Sequence, residues 1–135
     1  MIALQDSVIS IDEVEQSVLD IRCGASLLFV GRVRGDYKGR EVLRLEYEAY
    51  EALALKKMQD IVLQTQKECP LARISIVHRV GVVLPNEVSI VIAVATPRRA
   101  ECYQISRDVL ESLKRDVPIW KKEIYKEGAV WKSNY

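Results

Sequence analysis

Two apolar runs, "RISIVHRVGVV" (73–83) and "EVSIVIAVAT" (87–96), stand on either side of the turn "LPNE" and set the terms for the fold. Runs rich in Val and Ile that flank a Pro-Asn turn read as two strands, most simply an antiparallel pair. A second strand region precedes them. "ASLLFVGRVR" is apolar and β-leaning, "GDYKGRE" supplies a glycine-rich turn, and "VLRLEYEAY" alternates. That alternation places Leu43, Leu45, Tyr47 and Ala49 on one face and Arg44, Glu46 and Glu48 on the other, the pattern of a half-buried antiparallel strand.

Helices separate these strands. "SIDEVEQSVLDIR" opens with Ser10 and carries Glu13 three residues later, a capping-box signature, with Ile11, Val14, Val18 and Ile21 at helical spacing. Residues 51–68 repeat the pattern with Leu55, Met58, Val62 and Thr65 on one face, and Pro70 marks the end. After Pro97, "AECYQISRDVLESLKRDV" presents Tyr103, Ser106, Val109, Leu110, Leu113 and Val117 as its inward stripe. Pro118 cannot continue that helix, because it has no amide hydrogen and its ring meets the preceding turn. "IWKKEIY" and "AVWKSNY" are therefore predicted to be extended. Without regular βαβ alternation, the chain reads as α+β with a largely antiparallel sheet and about three helices.

A chain of 135 residues is expected to form a single domain, 1–135, with a core that needs neither disulfides nor metal. The formal net charge of +1 gives no global field for nucleic acid or an anionic membrane, so any anion site must be a local cluster. Cys23, Cys69 and Cys102 are odd in number, follow no metal-ligand spacing and read as small buried residues. "MIALQDSVIS" lacks the layout of a signal peptide, and no run is long enough to span a bilayer, so the cytoplasm is the expected location.

Three cationic clusters carry possible chemistry. In "GRVRG", Arg32 and Arg34 flank Val33 and share a strand face, either as an anion clamp or as a solvated strand end. In "TPRRAE", Arg98 and Arg99 precede a helix whose free amides already favour anions; the alternative is a pair of exposed arginines. In "SLKRDVPIWKKEIY", Lys114 closes a helix, where cations suit the macrodipole, and Lys121 and Lys122 point to opposite faces of an extended segment. Periodicity leaves open which of those faces is inward. A lysine crowded by cations and partly desolvated has a lowered pKa and can exchange protons. His78, the only histidine, lies in an apolar strand and reads as a core residue. Nothing here forms a nucleophile–His–Asp set, a Walker loop or a metal site.

Taken in order, "GRVRG", "LEYEAY", "HRVG", "ATPRRA", "SLKRDVPIWKKEIY" and "VWKSN" resemble the large, catalytic subunits of molybdopterin synthase, the MoaE family, over residues 24–134. The resemblance implies an α/β-hammerhead fold and a central homodimer. Each protomer would bind a small ubiquitin-like sulfur-carrier subunit, making a heterotetramer. It implies transfer of sulfur from the carrier's Gly-Gly thiocarboxylate to cyclic pyranopterin monophosphate, with no resident cofactor. Residue by residue, Lys114 and Lys121 match the catalytic lysines. Arg32, Val33 and Arg34, Lys122 and Glu123, and Arg98 and Arg99 match substrate-binding segments, the last pair expected to act across the dimer interface. Arg98 stands where the family usually has histidine, keeping charge and losing a titratable group. That departure sustains one rival reading, a non-catalytic module that binds a ubiquitin-like tail or a phosphate-bearing ligand.

Overall fold

A strand that is apolar at nearly every position needs cover on both faces, and residues 88–96 have it. Ile90, Ile92 and Val94 enter the main core, while Val91, Ala93 and Ala95 enter a second cluster with Ile9, Val14 and Val18. The computed structural model describes residues 1–133. Along them run β1 (Ile2–Gln5), α1 (Ile11–Gln16), β2 (Ala25–Arg32), β3 (Asp36–Tyr37), β4 (Arg40–Ala49) and α2 (Glu51–Glu68). Then come β5 (Arg73–Arg79), β6 (Gly81–Val83), β7 (Val88–Thr96), α3 (Arg99–Asp116), β8 (Ile119–Tyr125) and β9 (Gly128–Ser133).

The strands form two sheets, one in the order β1-β5-β7-β2 and one in the order β3-β4-β8-β9 with β6 added to β4. All of the strand pairings are antiparallel except β1 with β5. The α+β architecture with three helices among the described residues is the one expected. Helices α2 and α3 send Ala54, Met58, Val62, Cys102, Ile105, Val109 and Leu113 into the main core. Helix α1, capped by Ser10 accepting from the Glu13 amide at 3.2 Å, covers the other face of the first sheet.

Several expectations need correction. Leu43 is exposed and Val42 is buried in its place, because a bulge between Val42 and Arg44 shifts the alternation. Ile21 lies beyond the short α1 and is fully exposed. On α2 and α3 the inward stripe runs through Ala54 and Cys102 with Ile105, leaving Leu55 and Tyr103 exposed. The run 73–83 is two strands, not one. Gly81, at a φ of 81° that only glycine adopts without strain, turns the chain from the first sheet into the second. The Arg79 guanidinium braces this switch by donating to the carbonyls of Asp6 and Val82. β1 has no counterpart in the periodicity reading, and Asn134, the last residue of the motif "VWKSN", lies outside the described residues.

Candidate active site

Pro118 ends α3 as expected, and the carbonyl of Pro118 accepts from the Tyr50 amide at 3.2 Å, turning the chain directly into β8. The inward face of β8 is Ile119, Lys121, Glu123 and Tyr125; the three neighbours of Lys121 on this face are all buried. That settles the orientation left open by periodicity. Lys121 lies opposite Tyr47 of β4 on one side and Lys132 of β9 on the other. Lys122 takes the opposite face, with its ammonium 5.5 Å from the Trp131 ring.

Lys121 and Glu123 line a small cleft of about 60 Å³ together with Arg32, Val33, Arg34, Asp36, Tyr37 and Tyr47. β2 delivers the arginines. It ends at a register shift between Gly31 and Arg32, after which Val33 is locked to the 84–87 turn by two backbone bonds, Val33 N–H to Glu87 and Asn86 N–H to Val33. Arg32 donates to the Asn86 carbonyl at 3.1 Å, whereas the Arg34 guanidinium stands 5.6 Å from the Tyr37 ring centroid.

The electrostatics centre on Lys121. Burial lowers its pKa; Glu123 pulls the other way, and the charges of Lys132, Arg34 and Lys114 add to the lowering. Lys114, exposed on the last turn of α3, is thereby within electrostatic reach of Lys121. Glu123 is buried, which raises the pKa of its carboxyl. Hydrogen bonds from Lys132 and Tyr125, with the charges of Lys132 and Lys121, outweigh burial and leave it lowered. Its Oε1 pairs with Lys132 Nζ at 2.6 Å, and its Oε2 accepts from the Tyr125 hydroxyl at 3.0 Å. The Lys132 ammonium also lies 3.7 Å from the centroid of the Tyr37 ring.

Arg98 and Arg99 do not reach this cleft within one chain. Both are exposed at the start of α3, and the helix carries Lys114 about 24 Å away at 1.5 Å per residue. His78 is buried and neutral in character, its pKa lowered to about 4 by burial, in keeping with a core role. Among the described residues, no group of three His, Cys, Asp or Glu side chains could hold a metal. A far larger groove, about 870 Å³ between α2 and α3, includes Asp60, Glu68, Glu101, Asp108 and Glu111 in its lining. Its excess of carboxylates repels anions, so the small cationic cleft is the better candidate despite its size.

Sequence reasoning missed Tyr37, Tyr47 and Lys132. Lys132 was within reach. Two extended segments joined at "KE" form a hairpin whose register sets residue 121 against residue 132.

A family model described as MoaE protein matches residues 4–116. The chain is 42% identical over 126 residues to the molybdopterin synthase catalytic subunit of Homo sapiens, covering 93% of this chain and 67% of the human one. Identity to the subunit of that name from Halalkalibacterium halodurans is 42% over 129 residues, 96% of this chain and 83% of the relative. Among solved structures, molybdopterin synthase from Staphylococcus aureus superposes with a TM-score of 0.92 at 34% identity, covering 96% of this chain and 94% of that one.

Proposed function

The chain belongs to the MoaE family, and from that premise we propose that it is the catalytic subunit of a molybdopterin synthase. It takes sulfur from the thiocarboxylated C-terminus of a small ubiquitin-like carrier subunit and delivers it to cyclic pyranopterin monophosphate, building the dithiolene of molybdopterin. The observation that carries this reading is Lys121, half-buried on the wall of a cleft it shares with Arg32 and Arg34 and subject to the charges of Lys114 and Lys132 as well.

Both reactants are anionic, one through its phosphate and the other through its tail. A cationic, partly dry cleft stabilises them more strongly than bulk water would permit. Lys114, at the open end of α3, meets the carrier's C-terminal carbonyl. Lys121, its pKa already lowered, hands on or receives a proton as sulfur adds. Arg32 and Arg34 grip the phosphate-bearing side, with the 32–34 backbone held rigid by the 84–87 turn. Lys122 points away from the cleft and supports β8 from its outer face, so it does not share the role of Lys121.

The recess within one chain is far smaller than the several hundred Å³ that usually hold a ligand of this size. A second copy therefore completes it, bringing Arg98 and Arg99 to the phosphate. The working assembly is a homodimer with a carrier on each protomer, a heterotetramer, acting in the cytoplasm. Arginine at 98 serves a grip on phosphate as well as histidine does, and leaves proton transfer to the lysines.

Mixing the purified chain with thiocarboxylated carrier and the pterin precursor tests the reading, with the sulfurated product detected by mass. Appearance of the dithiolene product supports it. Tight binding of the carrier with no product overturns it in favour of a non-catalytic binding module.

A further inference from the structure

Lys121 and Lys132 are direct cross-strand partners on β8 and β9, with side chains on the same face. Like charges in that position destabilise a sheet, so the pairing calls for a reason. Glu123 provides one. It is the buried carboxylate on that face, two residues from Lys121 and diagonal to Lys132, and both ammonium groups could claim it. Lys132 has it: Nζ pairs with Oε1 at 2.6 Å while Tyr125 occupies Oε2 at 3.0 Å. The Tyr37 ring, 3.7 Å from Lys132 Nζ, fixes the ammonium in place from the other side.

We propose that Lys132 is a positioning residue for Lys121: by engaging Glu123, it keeps that carboxylate from pairing with Lys121 and leaves the Lys121 ammonium turned to the cleft. The inference rests on the reading of Lys121 as a working group of the sulfur-transfer site. The charged and titratable groups around Lys121 come from every neighbouring element. They are Glu123 on β8, Lys132 on β9, Arg34 after β2, Lys114 on α3, His78 on β5 and Tyr47 on β4, with Arg32 of β2 and Asp36 and Tyr37 of β3 lining the same cleft. Of these, Glu123 is the anion whose charge holds the Lys121 proton on, and Lys132 is its ion-pair partner. Removing Lys132 thus acts on Lys121 twice in the same direction. A repelling charge is lost, and Glu123 is released to pair with Lys121.

The test reads Lys121 directly in the full chain. An amine-selective acylating reagent is applied across a pH series without substrate, and modification of Lys121 is followed by mass spectrometry. In Lys132→Met, which keeps the chain length over Tyr37, the labelling curve of Lys121 is expected to move to higher pH and its rate at neutral pH to fall several-fold. Lys132→Arg should keep the wild-type curve. Lys132→Gln serves the same purpose should the methionine variant fail to fold. In a Glu123→Gln background the same lysine substitution should move the curve much less. An unmoved Lys121 curve in a folded Lys132 variant overturns the proposal, and so does an equal shift with and without Glu123. Because no substrate is present, the result stands apart from turnover. A shifted curve with unaltered sulfur transfer would uphold the positioning role and overturn the part given to Lys121 in the reaction.

Discussion

Tyr47 and His78 meet edge to face under the cleft, their ring centroids 5.1 Å apart and their planes at 71°. Tyr47 is also the cross-strand partner of Lys121, so the floor of the site is an aromatic pair that joins the two sheets. The Nδ1 of His78 donates to the Arg79 carbonyl at 2.7 Å, and burial is the main reason its pKa falls to about 4, with the Lys121 charge acting in the same direction. The unfolded chain binds this proton near pH 6.5 and the folded chain only near pH 4. Stability from this residue is therefore complete above pH 6.5 and declines as pH falls from 6.5 to 4. The loss amounts to about 3 kcal/mol at the acid end. Urea unfolding at a series of pH values should show the decline, and His78→Gln should flatten it. Equal slopes in the two proteins would remove His78 as its cause.

Glu123→Gln is expected to act on the site with the opposite sign to loss of Lys132. Glutamine cannot hold the Lys132 ammonium as an ion pair, and Lys121 loses the one charge that raises its pKa. The pH–rate limb that reports Lys121 should move to lower pH. The folded protein should lose about 1–2 kcal/mol, less than for a fully buried pair because Lys132 is partly solvated. Glu123 itself has a lowered pKa in the fold, so its stabilising part is present above the ordinary carboxylate range and lost as pH falls through the folded value. Chemical denaturation with parallel pH–rate curves checks both effects; a limb that moves upward would contradict the assignment.

The sequence made the helices and the turn into β8 legible because their signals are local. The pattern over about 51–68 and the stop at Pro70 mark α2, and Pro118 marks the break that leads into β8. What escaped is non-local. Nothing in "IALQ" announces that it pairs in parallel with β5, some seventy residues away. The bulge that expels Leu43 and the sheet change at Gly81 both depend on which strand lies alongside. The same holds for the site. Lys114 and Lys121 are close in sequence and within electrostatic reach of each other, whereas Tyr37 and Tyr47 reach the cleft, and Lys132 reaches Glu123 beside it, only through strand register. Arg98 and Arg99 mark the limit of a single chain, since a rigid helix keeps them from Lys114.

Lys114→Ala should separate chemistry from folding. The side chain is exposed on the last turn of α3, so unfolding free energy should change by no more than about 0.5 kcal/mol. Sulfur transfer should fall by about a hundredfold or more, the scale typical for removing a group that stabilises charge in a transition state. Single-turnover reaction with thiocarboxylated carrier, set beside a thermal melt, reads both quantities. A wild-type rate in the folded variant would remove Lys114 from the site.

Complementation decides where Arg98 and Arg99 act. If the arginines of one protomer serve the cleft of the other, a chain with Arg98→Ala and Arg99→Ala carries a sound Lys121 but deprives its neighbour. A chain with Lys121→Ala does the reverse. Each variant alone should be nearly inactive. Mixed and allowed to reassemble in equal amounts, half of the dimers are hybrid and each hybrid holds one site with every group present, so about a quarter of wild-type activity should return. The separation of about 24 Å along α3 motivates the experiment, because one chain cannot bring both ends of that helix to one phosphate. The readout is sulfurated pterin formed per active-site equivalent, compared with each parent measured alone. A mixture that stays as inactive as its parents would place the arginines outside the shared site.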